Sequence, residues 1–123
     1  MTDAGIILVV DDEPLILELV SAVLEDLRHA VVAVGNSRDA LAVARERSAE
    51  LRLLISDVTM PDMNGDELAD AITEFCDSVA VLLMSGQPGD SQLADERDNC
   101  DFIKKPFSVT DLLSKVEEML GAT

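Results

Sequence analysis

Aromatic side chains are nearly absent from this sequence. It contains no tryptophan and no tyrosine, and three phenylalanines supply the 2% of its 123 residues that are aromatic. Proteins that bind single-stranded nucleic acids stack bases on aromatic rings, so the scarcity of rings argues against that class. Hydrophobic residues nevertheless amount to 48%, and we expect a core packed with valine, leucine, isoleucine, alanine and methionine.

Positive charge is also scarce. Nine lysines and arginines stand against 25 aspartates and glutamates, which gives a net charge of −16 at pH 7. Nucleic-acid phosphates and anionic membranes both attract basic surfaces, so this balance argues against either as a partner. We expect most of the carboxylates to be solvated surface groups that keep the protein soluble.

Cysteine is limited to Cys76 and Cys100, which have neither the spacing of a metal site nor a neighbouring histidine. We expect two reduced thiols, as is usual in the cytoplasm, and no zinc site. No apolar run approaches the ~20 residues of a membrane span, and Asp3 stands where a signal peptide would carry basic residues. The sequence thus predicts one unprocessed cytoplasmic domain over residues 1–123, with no membrane association.

Five apolar runs of strand length recur along the chain. They are rich in valine, isoleucine and leucine and show little polar alternation, which is typical of strands buried on both faces. Segments with helical periodicity lie between them. We therefore predict an α/β fold in which right-handed crossovers join five parallel strands, with five helices covering both faces of the sheet. The predicted strands are 6–10, 31–34, 51–56, 79–84 and 100–103.

Local signals indicate where the helices begin and end. One proline occupies the place of a first-turn proline, and an asparagine or serine with an aspartate three residues later marks two further helix starts. Apolar residues at four-residue spacing predict the buried face of the first helix. The segment 92–97 has the weakest helical pattern. The signals are Pro14, Asn36 with Asp39, and Ser108 with Asp111, for helices ending near Arg47 and Leu120, and the stripe is Leu15, Leu19, Val23 and Leu27.

Charged residues follow directly after three of the apolar runs. The carboxyl ends of parallel strands meet at the edge of an open sheet where ligands bind, so several carboxylates and one ammonium should share a pocket. Carboxylate oxygens suit Mg²⁺, and an ammonium suits a phosphoryl group. The sequence therefore predicts a pocket for both. The residues concerned are Asp11, Asp12 and Glu13 after the first run, Asp57 after the third, and Lys104 and Lys105 after the fifth.

Further motifs at the same positions carry a resemblance to a known family. Asp57 is followed by Met60-Pro61-Asp62-Met63-Asn64-Gly65, and Ser85-Gly86 and Lys105-Pro106-Phe107 follow the fourth and fifth runs. In this order and spacing they resemble the receiver domain of bacterial two-component response regulators, over essentially the whole chain. The resemblance implies a flavodoxin-like, doubly wound sheet of strand order 2-1-3-4-5 and a switch operated by phosphorylation.

The resemblance also implies a phosphoryl-transfer site. Asp57 matches the carboxylate nucleophile that accepts a phosphoryl group from a phosphohistidine. Asp12 and Asp57 match direct Mg²⁺ ligands, Asp11 matches a ligand through water, and the backbone carbonyl of Thr59 matches a further oxygen.

Other positions match residues that respond to the phosphoryl group. Lys105, rather than Lys104, matches the cation on the phosphoryl oxygens, because the bond from this lysine to the next proline is typically cis in receivers. Ser85 matches a hydroxyl that donates to a phosphoryl oxygen. Phe102 matches an aromatic ring that changes rotamer as the hydroxyl moves.

Thr59 and Gln87 match positions that flank the water responsible for slow self-dephosphorylation. Both are uncharged, so they can orient or block a water but cannot act as a general base at neutral pH. The resemblance thus implies a phosphoacceptor and not an enzyme that turns over an external substrate.

The implied partners are a sensor histidine kinase or a histidine phosphotransfer protein, and an output partner on the face of the fourth helix, fifth strand and fifth helix. Asn99-Cys100 and Arg28 depart from small residues that are common near that face in receivers, which leaves the interface open. We interpret His29 as a cap at the end of the first helix rather than a phosphodonor. Met60 and Met63 are interpreted as turn and loop-cover residues.

Two functions of other classes stay open. An Mg²⁺-dependent phosphatase of the aspartyl-phosphate type also uses a strand-end aspartate, but it usually has a second aspartate where this chain has Thr59. A phosphorylation-independent pseudo-receiver would use the fold for interaction alone, but such domains typically lose an acid or the lysine. Flavin binding is disfavoured, because acids stand where residues that cradle a phosphate would be needed.

Overall fold

The computed structural model describes residues 5–25, 27, 29–76 and 78–121. Strands and helices alternate along the described chain. In order they are β1 (Ile6–Val10), α1 (Pro14–Leu24), β2 (Ala30–Val34), α2 (Ser37–Glu46), β3 (Leu51–Asp57), α3 (Gly65–Thr73), β4 (Ala80–Ser85), α4 (Gln92–Asp95), β5 (Cys100–Lys104) and α5 (Val109–Leu120).

The strands form one parallel sheet in the order β2-β1-β3-β4-β5. Side chains of a strand alternate between its two faces, so the nearly continuous apolar runs of β1, β3 and β4 bury residues on both. One core cluster packs the sheet against α2 and α3, and the other packs it against α1 and α5. The predicted doubly wound fold, its strand order and its five helices are confirmed.

Helix starts follow the local signals. Asn36 Oδ1 accepts a hydrogen bond from the Asp39 N–H at 2.8 Å, and Ser108 Oγ accepts one from the Asp111 N–H at 3.0 Å. Both predicted caps are confirmed. The predicted helix over 92–97 is a single turn, α4, and a turn this short is not stable without tertiary contacts.

The prediction for α1 is wrong in two respects. Leu15 is 77% and Leu19 39% exposed, whereas the buried residues of this helix are Val20 and Leu24. Apolar residues occupy nearly all sides of α1, so their spacing alone does not select the side that meets the sheet. The helix also ends at Leu24, five residues before His29, so His29 does not stand at the end of this helix as predicted.

Two other predictions have different outcomes. Val23 and Leu27 of the predicted stripe do pack against the cluster formed with α1 and α5. Met60, however, is a core residue and only 6% exposed, because its side chain packs in the cluster that faces α2 and α3. Arg28 lies outside the described residues. None of the described helices combines the length and apolarity that crossing a membrane requires.

Candidate functional site

The carboxyl ends of β1, β3 and β5 meet at one edge of the sheet, where Lys105 joins them. Its Nζ lies 2.9 Å from Asp11 Oδ2, 3.2 Å from Asp57 Oδ1 and 3.6 Å from Glu13 Oε1. Lys104 is exposed and ends β5 without reaching this cluster. The peptide bond from Lys105 to the following proline is cis. The structure thus brings together the charged residues that follow three separate strands.

The three aspartates of the site differ in their exposure. Asp11 is fully buried, and its Oδ1 accepts a hydrogen bond from the Glu13 N–H at 2.9 Å. Asp57 is 9% exposed, and Asp12 is exposed. One carboxylate oxygen from each aspartate lies within 4.8 Å of the others, which makes this the one cluster of possible metal ligands that the described residues contain. Hard oxygen donors at such a spacing could hold Mg²⁺.

Crowding changes the ionisation of these groups. Burial raises the pKa of Asp57, and although Lys105 acts against this, the charges of Asp11 and Asp12 add to the increase. Burial acts to lower the pKa of Lys105, but its contacts with Asp11 and Asp57 outweigh burial and leave that pKa raised. The lysine is therefore protonated at neutral pH. A divalent cation would relieve the repulsion that remains among the carboxylates.

The segment after Asp57 is held against the strand end. Ser56 Oγ donates to the Asp57 carbonyl at 2.9 Å, and the Gly65 N–H donates to the Val58 carbonyl at 2.7 Å. Gly65 approaches so closely that an added Cβ would lie 2.3 Å from the Asp57 carbonyl oxygen, so only glycine fits there without displacing the backbone. Thr59 is exposed on this segment, two residues beyond the candidate nucleophile.

Asp62 ties the same segment to the start of α2, a contact that the sequence did not indicate. Its carboxylate accepts hydrogen bonds from the N–H groups of Ser37 at 3.2 Å and Arg38 at 3.0 Å, and Ser37 Oγ donates to the Met63 carbonyl at 2.8 Å. Desolvation acts to raise the pKa of Asp62, but backbone donors, Arg38 and Ser37 first among them, outweigh it and lower that pKa. The partners are 24 and 25 residues apart along the chain, so no local spacing could reveal the contact.

Ser85 ends β4 and is engaged by the loop that follows it. Its hydroxyl donates to Asp90 Oδ2 at 2.6 Å and accepts a hydrogen bond from the Gln87 N–H at 2.9 Å. Ser85 is 3% exposed, whereas Gln87 is exposed. Asp90 was missed at the sequence level, because no motif or periodicity distinguishes it from the many other acids of the chain.

Phe102 lies on β5, partly buried against the core cluster that faces α2 and α3. It also lines a groove of about 520 Å³ between β5 and α5, together with Lys104, Lys115 and Glu118. Lys115 Nζ pairs with Asp101 Oδ2 at 3.0 Å on the same side of the molecule. The structure therefore places the predicted switch residue between the core and a groove open to solvent.

Cys76 and Cys100 are not joined in a disulfide, and Cys76 Sγ donates to the Ser48 carbonyl at 3.5 Å. Cys76 is buried beyond the end of α3, and Cys100 begins β5 in a half-buried position. Burial raises the pKa of Cys100 to about 11, so this thiol stays protonated and is a poor nucleophile at neutral pH.

Comparisons with known sequences agree on one family. The family model for the response regulator receiver domain matches residues 7–117. The two-component response regulator ARR11 of Arabidopsis thaliana is 33% identical over 108 residues, which are 86% of this chain and 20% of that protein. The DNA-binding transcriptional regulator NtrC of Azospirillum brasilense is 31% identical over 121 residues, 97% of this chain and 25% of that protein. The chain thus spans a quarter or less of the length of these relatives.

Solved structures show the same likeness. The receiver domain of NtrX from Brucella abortus superimposes with a TM-score of 0.82 at 32% identity, covering 95% of this chain and 99% of that one. The chemotaxis response regulator CheY4 of Vibrio cholerae gives a TM-score of 0.79 at 27% identity, with 94% and 98% covered. The similarity therefore extends over nearly all of the chain.

Proposed function

The chain belongs to the response regulator receiver domain family, and from that premise we propose that Asp57 accepts a phosphoryl group and so switches a partner surface. The observation that carries the proposal is the meeting of Asp57 with Asp11, Asp12 and the Lys105 ammonium at one sheet edge. An acidic cluster beside a fixed cation fits a phosphorylation site in a signalling protein. The proposal takes residues 1–123 as a single receiver domain and places it in the cytoplasm.

The nucleophile and the cation have separate roles in the proposed phosphoryl transfer. A carboxylate oxygen of Asp57 attacks the phosphorus of a phosphohistidine, so that a P–O bond forms while the P–N bond breaks and its electron pair leaves with the histidine nitrogen. Lys105 presents its positive charge to the phosphoryl oxygens. Asp11 holds that ammonium at 2.9 Å, so the charge is in place before the phosphoryl group arrives and needs little reorganisation.

The donor set fits Mg²⁺, which would offset the negative charge of the carboxylates and of the phosphoryl group when bound. We assign Asp12 and Asp57 as direct ligands, Asp11 as a ligand through water, and the Thr59 carbonyl as a further oxygen. The electrostatics support a bound cation here, because among the described residues Lys105 is the one cation that pairs with these closely spaced carboxylates.

The proposed signal runs from the phosphoryl group to the far side of β5. Ser85 donates its hydroxyl to a phosphoryl oxygen, and Phe102 repacks into the space that this movement leaves. Because Phe102 lines the groove between β5 and α5, its repacking would alter the face formed by α4, β5 and α5. We propose that face as the contact for an output partner, and a sensor histidine kinase or histidine phosphotransfer protein as the phosphodonor.

Loss of the phosphoryl group is proposed to occur by slow attack of water on the phosphorus. Thr59 and Gln87 are both exposed, and each follows a residue of the site by two positions, so their side chains would flank the water. Neither side chain can remove a proton from water at neutral pH. The protein would therefore dephosphorylate itself slowly and would not turn over an external phosphate ester.

The test is phosphorylation by a small acyl phosphate in the presence of Mg²⁺, followed by intact-protein mass spectrometry. The wild type should gain one phosphoryl group that hydroxylamine removes, and Asp57→Asn should gain none. Asp95→Asn, which changes an exposed carboxylate outside the site, should behave like the wild type. A stable adduct in Asp57→Asn would overturn the mechanism, sustained hydrolysis of phosphate esters would indicate a phosphatase, and no adduct in the wild type would indicate a pseudo-receiver.

A further inference from the structure

We propose that Asp90 is a positioning residue that holds the Ser85 hydroxyl in the unphosphorylated protein and competes with the phosphoryl group for it. The inference rests on the proposed function, in which Ser85 donates to a phosphoryl oxygen. It adds a contact, built into the loop between β4 and α4, that opposes the phosphorylated state.

The competition follows from the single proton of the hydroxyl. Ser85 Oγ donates to Asp90 Oδ2 at 2.6 Å, a length typical of a charge-assisted O–H···O⁻ hydrogen bond, which is stronger than a neutral one. A serine hydroxyl can donate only once. Ser85 therefore cannot donate to a phosphoryl oxygen while it donates to Asp90, and a phosphoryl group that recruits Ser85 must displace this carboxylate.

The loop around the contact is arranged to keep it. Ser85 Oγ also accepts a hydrogen bond from the Gln87 N–H at 2.9 Å, so the hydroxyl is held by both a backbone donor and the Asp90 carboxylate. Gly89 has a φ of 89°, a conformation that favours glycine, and it turns the chain just before Asp90. Ser85 is only 3% exposed, so water has little access to replace either contact.

Asp90 thus stabilises one of the two states. A contact that exists without the phosphoryl group and is lost with it lowers the apparent affinity for that group. Removing a hydrogen bond to a charged acceptor should change this affinity about tenfold. Asparagine at position 90 could still accept the hydroxyl proton, but without the charge, so its effect should be smaller.

The test measures the affinity for beryllofluoride, a small mimic of a phosphoryl group, by titration with Mg²⁺ present. Compared with the wild type, Asp90→Ala should bind about tenfold more tightly, and Asp90→Asn should lie between the two. Asp95→Ala removes an exposed carboxylate from the adjacent helical turn and should leave the affinity unchanged. Thermal unfolding checks that each variant folds, and Asp90→Asn keeps the test decisive if Asp90→Ala does not fold.

Ser85→Ala separates competition for the hydroxyl from a general effect of charge. Adding Asp90→Ala to Ser85→Ala should not change the affinity, because no hydroxyl remains to be released. In Asp90→Ala alone, the amide shift of Phe102 should move toward its position in the beryllofluoride complex, which loss of a merely structural contact would not produce.

Two results would overturn the role of Asp90. One is wild-type affinity in both Asp90→Ala and Asp90→Asn, and the other is an equal gain from Asp90→Ala with and without Ser85. A wild type that binds no beryllofluoride would instead overturn the proposed function, and the inference with it, before any variant is compared.

Discussion

Some charged residues of the site occupy positions that lower the stability of the folded protein. Asp57 is nearly buried beside two further carboxylates, and its raised pKa means that the folded protein disfavours its charge. Lys105 offsets part of this repulsion but not all of it. A bound cation would stabilise the folded protein, because it would reduce the electrostatic repulsion among these carboxylates.

This raised pKa predicts that Asp57→Asn unfolds at a higher temperature than the wild type at neutral pH without divalent cations. A carboxyl whose folded-state pKa is raised stabilises the fold fully below its unfolded-state pKa, and this contribution is lost as the pH rises through the folded value. The advantage of the variant should therefore be smallest near about pH 3, below the ordinary pKa of aspartate, and should grow toward neutrality. Thermal unfolding in a chelating buffer across this range measures it, and a variant less stable than the wild type at neutral pH would contradict the prediction.

The lifetime of the phosphoryl group should depend on two side chains that phosphorylation itself does not need. Replacing Thr59 by Asn or Arg, or Gln87 by Ala, should change the rate of dephosphorylation while leaving the extent of phosphorylation intact. Each tenfold change corresponds to ~1.4 kcal/mol in the barrier, a reasonable size for repositioning one water. Decay of the purified phosphoprotein, followed by mass spectrometry, gives the rates. Four equal half-lives would show that these residues do not line the path of the water.

At the scale of elements, contacts with two helices hold the segment from β3 to α3 in place. Backbone contacts fix it at Gly65, and Asp62 fastens it to the start of α2. The proposed Thr59 ligand lies between these anchors and Asp57. The position of that carbonyl therefore depends on two helices that carry no charged residue of the cluster.

Gly65→Ala should disrupt this junction. The added Cβ would have to move the Asp57 carbonyl, and forcing extra atoms into a packed site costs about 1–3 kcal/mol. Gly35→Ala is the matched control, because the nearest atom to its Cβ would be the Asp11 carbonyl oxygen at 3.9 Å, an ordinary contact. Urea unfolding of both variants gives the comparison, and equal stabilities would show that the segment yields without strain.

The molecule as a whole carries a net charge of −16, and carboxylate oxygens of Asp11, Asp12 and Asp57 lie within 4.8 Å of one another. Self-repulsion of this kind lowers the stability of the compact state. Magnesium should reduce this repulsion in two ways, by general screening of the charges and by binding to the site.

We expect Mg²⁺ to raise the unfolding temperature of the wild type beyond the effect of sodium chloride at equal ionic strength. At ten times its dissociation constant a ligand that binds only the folded state contributes about 1.4 kcal/mol. Asp12→Ala should lose this specific part and keep the screening part, whereas Asp95→Ala should keep both. An equal specific rise in Asp12→Ala would show that the metal binds elsewhere.

The sequence by itself determined the architecture and which charged residues meet at the edge of the sheet. Apolar runs and helical periods are local patterns, and their alternation leaves a parallel sheet covered on both faces as the economical arrangement. Charged residues such as Asp11, Asp57 and Lys105 stand directly after strands, so the topology alone brings them to one edge. The two confirmed helix caps are likewise local, because each joins residues three positions apart.

Only the tertiary structure decided which side of a helix is buried and which residues meet across long stretches of the chain. The buried side of α1 depends on how the helix lies on the sheet, and a helix that is apolar nearly all round does not encode that choice in its spacing. Asp62 meets α2 across 24 and 25 residues, and Asp90 meets Ser85 through the path of a loop. Such contacts depend on the relative positions of packed elements, which periodicity and local propensity leave undefined.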